Sequence, residues 1–155
     1  MSLTDFGDSA NGSATALPSN RVNLYAAPPT LDGNLGDYDD WLRVLIYHEY
    51  THILHLDTVR GVPALLNHVF GKKLAPNQNM PSFLIEGMAV HVESRTSGRG
   101  RIHSSQFRGW LRTAALDGSL HALDEVTHSP QSFPGANVWY MYGGHFMDWL
   151  ARTHG

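Results

Sequence analysis

Between Trp41 and Asp57 the apolar residues Trp41, Leu42, Leu45, Ile46, Ile53 and Leu56 return at steps of three and four, the period of one helical face. The spacing predicts a helix from Trp41 to about Asp57. Asp37 is placed as its N-cap, Asp39 and Asp40 in a first turn that favours carboxylates, and Gly61 and Pro63 as its stop. Upstream, "RVNLYAAPP" alternates Val22 and Leu24 against Asn23 and Tyr25, a short strand ended by Pro28 and Pro29. The polar start "MSLTDFGDSANGSATALPSN" has no such alternation and reads as an irregular lead-in or the truncated edge of something larger, with its first three residues an expression remnant.

Further along, Ala64 to Phe70 predicts a short helix closed by Gly71, and "LAPNQNMPS" a loop. Ser82 is expected to cap a helix, "FLIEGMAVHVESR", and Ser105 another that runs to Leu116 and stops at Gly118. Residues 119 to 135 read as loop, and "NVWYMYGGHFMDWLART" as a last helix locally weakened by Gly143 and Gly144. The expected class is mainly α, a helical core with a short, truncated N-terminal β region. At 155 residues it is read as a single domain, residues 1 to 155, and as a piece of a longer chain.

Charge and composition narrow the functions. A net charge of −3 with no basic block argues against nucleic-acid binding. The absence of cysteine excludes disulfides, thiolate metal sites and cysteine nucleophiles. No apolar run reaches the length of a membrane span. The ten histidines change the picture most, because imidazole is the commonest metal ligand and the usual acid or base near neutral pH.

Three of them fall in "YHEYTHILHLD", Tyr47 to Asp57. On a helix His48 and His52 leave one face about 6 Å apart along the axis, close enough to share an ion. Glu49, offset by one position, is placed as a general base beside the metal rather than as a ligand. Ten histidines and four glutamates in 155 residues would give this H-E-x-x-H pattern by chance roughly 0.02 times. His55 lies seven residues from His48, about 10.5 Å along the axis, too far to share the ion, and is read as capping the helix end. Asp57 is a weaker candidate, as ligand or as partner to one.

A hydrolytic zinc needs a third protein ligand and an open position. Glu86 fits that role, since it stands in an apolar turn where an unpaired buried carboxylate would be costly. Gly87 beside it would admit a second backbone at close range. Glu93, seven residues on, is read as a charge at the helix end or at most a partner to a ligand, and His91 as surface or structural.

"HEYTH" followed by "FLIEGMAVHVE" resembles the gluzincin metallopeptidases, and most closely the bacterial peptidase MA-like domains that precede a TolB-like β-propeller. The likeness extends through "DSANGSATALP", "LYAAPP", "GDYDDWL" and "FGKKLAPNQNMPSFLIEG". It implies that His48, His52 and Glu86 hold one Zn2+ and that Glu49 is the base. It further implies that Tyr140, in "YMYG", supplies a phenol to the oxyanion, with Tyr142 close enough to be mistaken for it. The chain departs from the aminopeptidase class in the 33 residues between His52 and Glu86, and in lacking that class's Gly-rich exopeptidase motif.

The activity implied is hydrolysis of a peptide or protein substrate by zinc-activated water. Glu49 would take the proton and pass it to the leaving amine. The strand "RVNLY" is the expected edge for an extended substrate. A C-terminal propeller partner and a bacterial envelope or periplasmic location are implied by the same resemblance. The rival reading is a zinc-containing binding module without turnover, which would have no need of Glu49.

Overall fold

The computed structural model describes residues 2–4, 11–30, 35–36, 38–128 and 132–155, the first three by their backbone. Asp37, most of the turn "TLDGNLGD", Met1 and the start of "DSANGSATALP" lie outside them. The chain is mainly helical, as the sequence predicts, and divides into two compact units, Met1–Met80 and Pro81–Gly155. Among the described residues no helix is long and apolar enough to cross a membrane.

The first unit holds a three-stranded sheet in the order β1-β3-β2, formed by β1 (Ser2–Thr4), β2 (Asn11–Thr15) and β3 (Arg21–Tyr25). β3 is parallel to β1 and antiparallel to β2, with Gly12 opposite Leu24. The predicted strand is therefore present, but the expected irregular lead-in is not: residues 2–4 and 11–15 pair with it. "NGSAT" has no β-branched or apolar alternation, so its strand character comes from partnering β3 rather than from its own residues. The expected docking edge also fails. β3 is the central strand, paired on both sides, and leaves no edge for an incoming strand.

Helix α1 (Trp41–Leu56) crosses this sheet, packing on β2 and β3. It begins later than the acidic run implied: Asp40 is the N-cap residue, and no acidic residue stands in the first turn. Leu24, Leu35, Tyr38, Val44 and Leu45 form its core with the sheet. Gly61 and Pro63 do not end this helix. Asp57 does, and Gly61 precedes α2 (Val62–Phe70), whose first turn accepts Pro63 because no N–H is needed there. A 3-10 turn, Pro76–Asn79, lies in the predicted loop.

Asp57 is not a ligand candidate in the fold. Its carboxylate accepts from Asn20 Nδ2 at 2.7 Å and pairs with Lys72, tying the sheet, the end of α1 and the chain after α2. These hydrogen bonds, Asn20 first, hold its pKa below the ordinary value of 3.8. A depressed carboxyl contributes stability above its unfolded pKa and loses it as pH falls through the lower folded one. Asn20→Ala is thus expected to lower stability at neutral pH, with the difference from wild type closing as pH falls below the ordinary carboxylate range in acid titrations followed by circular dichroism.

The second unit is built on α3 (Ser82–Ser97) and α6 (Asn137–His154), its most extensively packed pair. A 3-10 turn (Arg101–His103), α4 (Ser105–Asp117) and α5 (Leu123–His128) complete it. Ser104, not Ser105, caps α4, its hydroxyl accepting from the Phe107 N–H, and Gly118 ends it at φ 73° as predicted. Ser82 is the first residue of α3, behind Pro81, rather than its cap.

α5 was expected to be loop. Val126 is its single buried residue, packed with Phe83 and Val138, so six residues offer no period to detect. Gly143 and Gly144 do not interrupt α6. A Cβ at Gly143 would stand 2.0 Å from the Phe83 carbonyl oxygen, and one at Gly87 2.4 Å from the Gly143 carbonyl carbon. The two glycines let the helix backbones touch. Gly143→Ala therefore pushes backbone against backbone, and unfolding in urea is expected to show a loss at the upper end of about 1–3 kcal/mol.

Candidate metal centre

α1 buries the wrong residues for an ordinary amphipathic helix. His48, Glu49 and His52 are 3%, 5% and 7% exposed, while Tyr50 and Leu54 stand 56% and 55% exposed. Burying polar groups in place of apolar ones is costly unless they are satisfied, and such inversions collect at functional sites.

The two imidazoles meet through Nε2 atoms 3.1 Å apart, with ring centroids 4.7 Å apart and planes at 87°. Nitrogens bound to one tetrahedral zinc would be separated by about 3.3 Å, so the pair is already spaced as ligands. The same separation suits a ring N–H donated to the other ring's lone pair.

His48, His52 and Glu86 are a possible metal-binding group. Two imidazole nitrogens and a carboxylate are a donor set that zinc takes in hydrolytic sites. Glu86, on α3, is half-buried rather than buried as the sequence implied. Gly87 next to it is seated on the backbone of Gly143.

His55 is not part of the group. Its pKa is lowered first by burial and then by His52, and its Nδ1 is buried with no hydrogen-bond partner among the described residues. At this helix end its backbone carbonyl accepts from Asn77 Nδ2 at 2.7 Å. His91 faces Asp148 at 3.7 Å, in a cleft it shares with Arg95, His103 and Arg152.

The two tyrosines part company. Tyr142 Oη accepts from the backbone N–H of His121 at 3.0 Å, which commits its phenol to holding the chain before α5. Tyr140 lies under the guanidinium of Arg101, 4.7 Å from its ring centre.

Arg101 leads to a residue the sequence reading misjudged. Glu93 is fully buried, 0% exposed, and not a surface charge. Its Oε1 accepts from the Arg101 backbone N–H at 3.0 Å and lies 3.7 Å from Arg101 Nε. Ser94 Oγ accepts from the Ile102 N–H at 3.3 Å, so consecutive α3 side chains hold the 3-10 turn that carries Arg101. Glu93 shares the face of Glu86 by its i+7 spacing. What the spacing could not show was that a polar, glycine-rich turn folds back to cover it.

Comparison with known proteins adds little to this geometry. The chain is 29% identical over 147 residues, 94% of its length, to a protein of Treponema pallidum (strain Nichols) described as uncharacterized. It spans 12% of that protein's length. No family model matches the chain, and no solved structure matches it.

Proposed function

We propose that this chain is a gluzincin-type zinc metallopeptidase domain, hydrolysing peptide bonds. The observation that carries the reading is the His48 and His52 Nε2 pair, 3.1 Å apart, with the carboxylate of Glu49 buried on the same helix and Glu86 available as a third donor. Zinc bound there would supply Lewis acidity toward a water molecule and the substrate carbonyl. His48 and His52 would hold the ion through ring nitrogens and Glu86 through a carboxylate oxygen.

Glu49 receives the proton of the attacking water and returns it to the leaving amine. Tyr140 donates its phenol to the developing oxyanion, its ring held by Arg101. The substrate is an extended peptide that adds to β2, the outer strand beside β3. A propeller elsewhere in the full protein and an envelope location belong to the same proposal.

The test is zinc content by elemental analysis, with hydrolysis of an unstructured protein, for wild type, His48→Ala, Glu86→Ala and Glu49→Gln. One zinc per wild-type chain, weakened in the ligand variants and retained in an inactive Glu49→Gln, is expected. Zinc without hydrolysis in wild type would favour the binding module. No zinc after reconstitution at neutral pH would overturn the metal site itself.

A further inference from the structure

The H-E-x-x-H motif explains why Glu49 is a glutamate but not why its carboxylate stays where it is. β2 passes directly over it. A Cβ built on Gly12 would lie 2.7 Å from both Glu49 Cγ and Oε1 and 2.8 Å from Cδ, all inside the distance that real Cβ atoms keep. The Glu49 side chain thus occupies the space that any other residue at position 12 would fill. We propose that Gly12 is a positioning residue for Glu49, its bare backbone forming the wall against which the general base is seated. The inference rests on the metallopeptidase reading for what Glu49 does, and on the packing alone for where it sits.

Three features separate this from ordinary strand packing. The atoms met at Gly12 belong to a side chain, whereas at Gly87 and Gly143 they are backbone. A methyl group at position 12 can therefore be admitted by moving Glu49, without opening the fold. Gly12 pairs in register with Leu24, and its N–H is taken by Asn11 Oδ1 at 2.8 Å, so the backbone is held independently of Glu49. Moreover, Glu49 is 5% exposed, which leaves its displaced carboxylate little room to settle elsewhere in an equivalent place.

The experiment uses Gly12→Ala, with Ser13→Ala on the same strand as control. The chain has four glutamates, Glu49, Glu86, Glu93 and Glu125, so carboxyl-13C glutamate labelling gives four signals assignable by single Glu→Gln variants. Gly12→Ala is expected to move the Glu49 signal and leave those of Glu93 and Glu125 in place, with zinc stoichiometry unchanged. Against an unstructured protein substrate kcat should fall about 100-fold, as for an ångström-scale misplacement of a reacting group, with little change in KM. Adding Glu49→Asp, which withdraws the carboxylate by one methylene, should make Gly12→Ala no more harmful than Glu49→Asp alone.

An unmoved Glu49 signal with unchanged kcat in Gly12→Ala would overturn the proposal while leaving the peptidase reading intact. A moved Glu49 signal in a protein whose wild type hydrolyses nothing would uphold the seating of Glu49 and overturn the peptidase reading instead.

Discussion

Replacing Glu49 by glutamine is expected to lower kcat by about 10²–10⁴-fold while the protein keeps its metal. The amide has nearly the shape of the carboxylate, so the packing against Gly12 and the burial of the side chain are preserved. On the proposed mechanism, what is lost is the lone-pair basicity that would accept a proton from water and release it to the amine. KM should change little, because the substitution removes a group that acts in the transition state rather than one that binds the ground state. Steady-state kinetics on one fluorogenic peptide, with zinc measured on the same samples, gives the answer. Full activity in Glu49→Gln would place the base elsewhere and detach the chemistry from the motif.

The second large effect is structural. Glu93→Ala is expected to destabilise the second unit by about 3–5 kcal/mol, because it leaves the Arg101 guanidinium buried with its carboxylate removed. Arg101 is 5% exposed and stacks on Tyr140, so it cannot turn to solvent without uncovering that ring. The backbone N–H of Arg101 loses its acceptor as well. Replacing both members, Glu93→Leu with Arg101→Met, should cost markedly less than Glu93→Ala alone, since neither charge then remains to be desolvated. Urea unfolding of the two variants beside wild type separates the cases. Equal costs would mean that the pair acts through packing and not through charge.

How much of this was legible follows from the range over which each signal acts. α1, α3, α4 and α6 are long enough for a helical period, and all four were predicted close to their observed bounds. α5, with one buried residue, and β1 and β2, without strand-forming sequence, have no local signal. The His48–Glu49–His52 triplet was readable because its geometry is set within one turn of a single helix. Glu86 was legible only through its context and through Gly87, whose role in admitting a second backbone is realised by Gly143.

The sequence by itself determined the helical class, the histidine pair and the glutamate between them, because residues three and four apart on a helix must share a face. Tertiary structure decided the rest. It made β3 a central strand, buried Glu93 beneath the turn that carries Arg101, committed Tyr142 to the His121 backbone, and laid Gly12 against Glu49. Those relations join residues that no local period connects. They arise only when separate elements compete for the same volume and the same hydrogen-bond partners, which happens on packing and not before.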